Sequence, residues 1–420
     1  MKGKTHVVIA VACVVGTMAV LLFLQSLALQ IPAVGLTPHL ASAETSEQTS
    51  SPEQQSVSPN PRTVDEAFAA TESEFPGFSG YFYDEEGRLN IFFTEPQQVD
   101  SEQVSSRLVS AGYIENEDTA NGVILLQSKY PWKTLHTWKN TLNVLFLNKD
   151  LGITTLDANE KMQRIDIGVE SLTPAIRDSI TEVLIQNGIP TEDVQLMETG
   201  PILLESHGVS VSPRKGGVEL GFGTSSVCTN GFIVNNSSGA RQSVTAGHCE
   251  VVVDTAGDEV YRNPGASGST TVGTETANTN LAGPRYSDSL MWTPASGITT
   301  SLGKICKNTG CSTDFTITGT KSFPAVGETI CKYGRSTHET CGTITATDVN
   351  VTHPNYSQLW AQTQASYSSS GGDSGSPVYK KGTDPNVTLY GLHWGVTQSG
   401  VRLFSPFNGI TADQGTLTVK

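Results

Sequence analysis

Aromatic side chains are scarce in this chain: Phe, Trp and Tyr make up 7% of its 420 residues, while glycine is abundant at 41 positions. That balance disfavours a helical bundle and favours a β-rich chain with many turns. A basic excess is also missing. The formal net charge is −15, and all of the imbalance lies upstream, with 12 basic and 27 acidic residues in 1–205 against 14 and 14 in 206–420. Nucleic acid, which needs a basic face, is excluded as a partner. Cysteine is absent between Cys13 and Cys228. No cysteine pair has zinc-ligand spacing and no helix offers His-x-x-x-His, so no metal and no cofactor is expected.

What is present begins with Lys2 and Lys4, a long apolar run from Val7 to about Leu29, and the small-x-small site Ala41-Ser42-Ala43. This reads as a secretory signal over 1–43, cleaved after Ala43. Contact with a membrane is then confined to export, and the product is extracellular. The run is also long enough to span a bilayer as an uncleaved anchor. The polar tail that follows favours the signal. Cys13 leaves with it, and six cysteines remain: Cys228, Cys249, Cys306, Cys311, Cys331 and Cys341. An even number behind an export signal reads as disulfides.

Residues 44–62 are Ser, Gln, Glu, Thr and Pro, too polar to offset the entropy of ordering, and read as a disordered linker. From 63 to 205 the pattern is mixed α and β. Gly80 to Thr94 alternates around Asp84-Glu85-Glu86-Gly87 as a hairpin does. Trp132, Leu135, Trp138, Leu142 and Leu145 recur at helical spacing and read as core. Thr173-Pro174 opens a further helix and Asn187-Gly188 closes it, with Ile176, Ile180 and Val183 as its buried stripe. Beyond Val209 short β-prone runs alternate with turn residues, as at Gly231–Val234, Gln242–Ala246, Leu290–Thr293, Phe315–Thr318 and Leu389–Leu392, and no useful helical period appears. An all-β unit of the barrel type over 206–420 is the expectation. Asn-x-Ser/Thr matches at Asn235, Asn350 and Asn386 read as chance in a Ser/Thr-rich β protein.

Three motifs stand in one order: Thr245-Ala246-Gly247-His248-Cys249, Ser287-Asp288-Ser289-Leu290-Met291-Trp292, and Gly371-Gly372-Asp373-Ser374-Gly375-Ser376-Pro377. A serine hydroxyl needs a base to take its proton as it attacks, and a histidine titrates in the right range. A buried carboxylate must hold that histidine in one tautomer. Glycines around the serine let the backbone turn so that two N–H groups, of Gly372 and Ser374, meet the developing oxyanion. Ser374, His248 and Asp288 are therefore the candidate nucleophile, base and orienting acid. Asp254 and Asp258 lie too near His248 in sequence, and Asp314 lacks the apolar run that follows Asp288. Asp373 reads as a structural carboxylate shaping the turn. An α/β-hydrolase esterase would carry Ser, acid and His in the opposite order.

The order His, Asp, Ser with the T-A-G-H-C and G-D-S-G-S-P strings resembles chymotrypsin-like serine proteases. Cys331-Lys332-Tyr333-Gly334-Arg335-Ser336-Thr337 through Cys341-Gly342-Thr343-Ile344 is similar to bacterial streptogrisins and α-lytic protease, as is Cys228-Thr229-Asn230-Gly231-Phe232. The likeness spans roughly Gly216 to Phe407. It implies an all-β double six-stranded barrel preceded by an α+β pro-domain, here the acidic segment 63–205. That segment would act as intramolecular folding aid and inhibitor. The resemblance also implies Cys228–Cys249 and Cys331–Cys341 disulfides, leaving Cys306 and Cys311 for each other. Lys332 stands where the streptogrisins place an arginine beside the carboxylate of Asp373, a change that loses the guanidinium fork.

Activity on protein or peptide substrates follows from this resemblance, against the alternative of an inactive relative that only binds. Tyr390-Gly391-Leu392-His393-Trp394-Gly395 resembles glutamyl endopeptidases, in which the corresponding histidine contacts an acidic substrate side chain. The resemblance makes His393, Trp394 and Gly395 pocket residues and Ser369 a hydroxyl donor to the carboxylate. Ser368, six residues before Ser374, is where trypsin-like enzymes hold an aspartate, so preference for Lys or Arg is disfavoured. A packed His393 with an apolar pocket is the alternative. Leu203-Leu204-Glu205-Ser206 precedes the barrel, so an enzyme cutting after Glu, more than Asp, would release itself after Glu205. Arg214 and Lys215 are rival sites for an outside protease.

Overall fold

The computed structural model describes residues 61–119, 122–203, 214–222, 226–250, 259–262, 270–278, 285–352 and 358–420. The expected signal, with its cleavage site at Ala43, lies outside the described residues. So does Glu205. Ser56–Lys420 forms one compact unit.

Within it the N-terminal region behaves as its pattern dictates. Strands Phe78–Tyr83 and Leu89–Phe93 pair antiparallel, and Val123–Gln127 joins them in parallel. The helix Trp132–Leu142 buries Trp132, Leu135 and Leu142, and a 3-10 turn over Asn143–Leu147 buries Leu145. Trp138 is only partly buried, packed edge-on against Tyr130. The helix Pro174–Gln186 starts where Thr173 Oγ1 accepts the Ile176 N–H at 3.3 Å. Its fully buried positions are Ile180 and Leu184, while Ile176 and Val183 sit at the edge of the stripe.

Two β-sheets dominate the rest. Ser226–Thr229, Glu219–Phe222, Glu259–Arg262, Thr270–Asn278, Leu290–Pro294, Arg241–Thr245 and Phe232–Asn235 form, in that order, a seven-stranded sheet. The expected six becomes seven because one extended run breaks at Asn230-Gly231. There the buried Asn230 turns its side chain to the Lys215 carbonyl, Ser243 Oγ and the Trp292 indole.

The second sheet has thirteen strands rather than six. Its C-terminal part includes His338–Val351, Thr329–Gly334, Pro377–Lys381, Asn386–Thr397 and Arg402–Pro406. Three upstream strands, Val194–Glu198, Arg164–Val169 and Ile153–Asn159, extend it through the pairs Asn350↔Leu156 and Val351↔Thr155. Ile202–Leu203 adds a separate edge against Asn386–Thr397, with Leu203↔Val396 and Ile202↔Thr397. Hydrogen bonding thus runs unbroken from the acidic region into the β region. The contact is close elsewhere: the Tyr83 carbonyl packs so near Gly327, at φ +93°, that a Cβ there would lie 2.1 Å from its oxygen.

A core drawn from both sheets contains Trp292, Trp394, Tyr333 and Leu392. A second, of N-terminal residues joined by Ala325, surrounds Trp132, Phe68 and Phe78. The chain ends with an unforeseen helix, Phe407–Gln414, that buries Phe407 and Ile410. No helix among the described residues is long and apolar enough to cross a membrane.

Candidate active site

His248 follows the strand Arg241–Thr245 on a single 3-10 turn, Gly247–Cys249. The Cys228–Cys249 disulfide ties that turn to a neighbouring strand. Asp288 sits just before Leu290–Pro294, a strand paired with the one that carries the histidine. Its backbone N–H donates to Ser405 Oγ at 2.9 Å. The Asp288 carboxylate accepts the His248 backbone N–H at 3.0 Å and the ring Nδ1–H through its other oxygen. With the proton on Nδ1, the lone pair of the neutral ring lies on Nε2, which is 2.9 Å from Ser374 Oγ. Ser374 Oγ also lies 3.3 Å from the Trp394 carbonyl. The structure thus brings together the three residues singled out from the motifs. Asp288 and Ser374 are buried. Asp314 is engaged elsewhere, 2.5 Å from Lys215 Nζ. Asp254 and Asp258 lie outside the described residues.

The turn before Ser374 is shaped from below. Gly372 has φ +96° and Gly375 φ +87°. A Cβ on Gly375 would lie 2.2 Å from the Thr229 carbonyl oxygen, so only glycine fits. Thr229 Oγ1 donates to the Gly372 carbonyl at 2.6 Å, and the Thr229 N–H to the Ser374 carbonyl at 2.7 Å. With those carbonyls engaged behind the turn, the Gly372 and Ser374 N–H groups donate to no acceptor among the described residues. Thr229 was not singled out from sequence; it stands beside Cys228 in the quoted Cys-Thr-Asn-Gly-Phe string.

Asp373 braces the same turn. Lys332 Nζ lies 2.9 Å from Oδ2, and both side chains are fully buried. Ser370 N–H and Thr337 Oγ1 also reach Oδ2, while the Ser336 and Thr337 N–H groups reach Oδ1. Burial alone would raise the Asp373 pKa, but the Lys332 ammonium and these donors outweigh it and hold the carboxyl below its usual range. The fork lost with arginine is thus replaced by backbone and hydroxyl donors. Arg335 instead pairs with Glu219 at 3.1 Å.

The pocket candidates occupy one strand and one loop. His393, Trp394 and Gly395 lie on Asn386–Thr397. His393 is fully buried, its Nδ1 3.1 Å from both the Leu403 carbonyl and Tyr367 Oη. Trp394 donates its indole N–H to Gln362 at 2.8 Å. Gly395 pairs with Leu403. Ser369 accepts at Oγ from Arg402 Nε at 3.1 Å. Neither Arg402 nor Tyr367 was singled out from sequence. The disulfides are Cys228–Cys249, Cys306–Cys311 and Cys331–Cys341. Among the described residues, the two Cys-containing clusters with metal-like proximity consist largely of these bonded sulfurs, which offer no thiolate.

No protein-family model matches the chain. Among solved structures it is similar to a glutamic-acid-specific serine protease described as using a novel histidine triad in substrate binding. Identity there is 26%, over 49% of this chain and 100% of that one, with a TM-score of 0.40. Thermobifida fusca Protease A matches at 27% identity, 49% and 97% coverage, and a TM-score of 0.38. Cellulomonas bogoriensis chymotrypsin matches at 25%, 49% and 97%, and 0.38. These neighbours are chymotrypsin-like bacterial serine proteases, and the likeness covers about half the chain.

Proposed function

We propose that the chain is a serine endopeptidase made as an inhibited precursor. The observation that carries this is the hydrogen-bonded line Asp288–His248–Ser374 beside two N–H groups with no acceptor among the described residues. Ser374 Oγ attacks the peptide carbonyl carbon as its proton passes to His248 Nε2. Gly372 and Ser374 N–H groups take the oxyanion, and the Asp288 carboxylate steadies the imidazolium. The imidazolium protonates the leaving amine. Water, deprotonated by the same ring, then hydrolyses the acyl-enzyme.

The acidic segment 63–205 is proposed as pro-domain, folding aid and inhibitor. In support, Ser374 is fully buried in this form. The ladder Ile202↔Thr397, Leu203↔Val396 advances towards Trp394 as the chain advances towards Glu205, and the Trp394 carbonyl lies beside Ser374 Oγ. An extended strand on that edge has the direction of a bound substrate delivering its acyl side to the nucleophile. The rival sites are poorly placed: Arg214 and Lys215 are buried, and Lys215 Nζ is held by the Cys311 carbonyl at 2.9 Å as well as by Asp314. Self-release after Glu205 and a preference for Glu over Asp are part of this proposal. Three disulfides support secretion.

Matched peptides carrying Glu, Asp, Phe, Leu or Lys before the scissile bond test the preference. Glu is expected to win by kcat/KM, by at least about tenfold over Phe and Leu. Victory of Phe or Leu would replace the acidic preference by an apolar pocket and leave the protease reading standing.

A further inference from the structure

His393 is poorly disposed to be the charge that meets an acidic side chain. Its Nδ1 faces the Leu403 carbonyl, which can only accept, so Nδ1 carries the proton. In the neutral ring Nε2 is then a lone pair, and a substrate carboxylate approaching it would be repelled. Donation from Nε2 therefore requires a second proton on the ring. A permanent cation stands nearby. Arg402 opens the strand Arg402–Pro406 and pairs directly with Val396, the residue that Leu203 flanks on the opposite side. Its guanidinium reaches Ser369 Oγ at 3.1 Å through Nε, the Ser369 carbonyl at 3.4 Å through Nη2, and the Gly400 carbonyl through Nη1. All three acceptors are neutral. No carboxylate lies within ion-pair distance among the described residues, and the side chain is only half-buried.

We infer that Arg402 is the specificity-determining cation of this protease, taking the carboxylate of the substrate side chain together with the hydroxyl of Ser369. Ser369 Oγ accepts from Arg402 Nε, which leaves its own O–H to donate. A guanidinium has five N–H bonds, and the neutral acceptors leave donors for a carboxylate in fork geometry. The buried imidazole of His393 then forms the pocket wall, oriented by Leu403 and Tyr367, without carrying the charge. The assignment rests on the acidic preference proposed above.

The test uses the full chain, compared as wild type, Arg402→Met, Arg402→Lys and His393→Gln, on peptides differing only by Glu or Gln before the scissile bond. A variant that does not process itself is processed by immobilised wild-type enzyme, which is removed before assay. Active sites are counted by acylation, so misfolded protein does not enter the rates. In Arg402→Met the Glu-to-Gln ratio of kcat/KM is expected to collapse by at least about 30-fold, with Arg402→Lys between the two. In the wild type that ratio is expected to be flat from about pH 6 to 9, because a guanidinium is charged throughout that range and any ionisation in the catalytic step is common to both peptides. No titratable side chain hydrogen-bonds to Arg402 among the described residues. A ratio preserved in Arg402→Met, or one that falls about tenfold per unit at higher pH and vanishes in His393→Gln, overturns the assignment to Arg402. A wild type without preference for Glu over Gln fails the acidic reading itself, a different outcome.

Discussion

Asp373, deep in the β region, meets Lys332 at 2.9 Å and is held below its usual pKa. In the N-terminal region Asp65, Asp157 and Glu160 crowd one ammonium, Lys139, at the seam with the β region. There Lys139 Nζ lies 2.7 Å from Asp65 and also reaches Asp348, whose carboxylate accepts the Asp65 N–H at 2.7 Å. Glu160 accepts from Thr347 at 2.8 Å. Burial, then the Asp348 charge, raises Asp65; burial, then Glu160, raises Asp157; burial pushes Glu160 up to about 7. The β region has matched a buried acid around its candidate nucleophile with a cation and a full set of donors. The seam to the acidic region has more acids than cations. A brace that holds at any ordinary pH and a junction that depends on pH are therefore built from the same residue types, and the count of partners decides which is which.

The comparison assigns chemistry to the β region alone, and Ser374→Ala tests that with the largest effect. Turnover of peptides is expected to fall by ~10⁴-fold or more, with His248→Ala similar, because the triad acts as a unit. The variant chain should then retain the acidic segment, read from its N-terminal sequence and mass. Processing at the normal site in Ser374→Ala would place the cutting activity elsewhere.

The brace is the next to break. Lys332→Met leaves Asp373 fully buried with no cation within ion-pair distance among the described residues, and is expected to cost about 3–5 kcal/mol in denaturant unfolding. Asp373 has a depressed folded pKa, so its contribution is present above the ordinary carboxylate value of 3.8 and is lost as pH falls through the folded value. A Lys332→Met loss under about 1 kcal/mol would mean that backbone donors alone suffice.

At the junction the sign reverses and the effect is smaller. Glu160 has a folded pKa raised from 4.5 to about 7. Its contribution to docking is complete below pH 4.5 and is lost as pH rises through about 7. Asp65 and Asp157 shift in the same direction. His136, pushed down to about 4 by burial and Lys139, is neutral in the docked form across that window, and a proton regained on release below its ordinary 6.5 works against the carboxyls. The acidic segment is expected to leave the processed enzyme at least about tenfold faster at pH 8 than at pH 5, and Glu160→Gln should flatten that dependence. Release that is faster at pH 5 would contradict the account of the junction.

The candidate site was legible because its chemistry is written in short strings. T-A-G-H-C and G-D-S-G-S-P place His248 and Ser374, and the apolar run after Asp288 marks the strand that buries it. The local elements were legible for the same reason: the Gly87 hairpin and the Thr173–Gly188 helix carry their own turn and cap residues. What sequence did not reveal is non-local. Nothing near Leu156 announces that it pairs with Asn350, so the thirteen-stranded sheet was invisible. Arg402 belongs to no recognisable string, and only strand register sets it opposite Val396. Thr229 braces the turn with its hydroxyl and its backbone, and nothing in the Cys-Thr-Asn-Gly-Phe string announces those partners. Phe407–Gln414 is too short to display a helical period.

The central claim is that Ser374 is a nucleophile activated by His248. It is tested most directly by treating the active protein with a serine-directed sulfonyl fluoride and locating the adduct by peptide mass spectrometry. The account predicts one adduct per chain, on Ser374, appearing in step with loss of peptidase activity and slowed by orders of magnitude in His248→Ala. An adduct elsewhere, or labelling of Ser374 at an unchanged rate in His248→Ala, would contradict it.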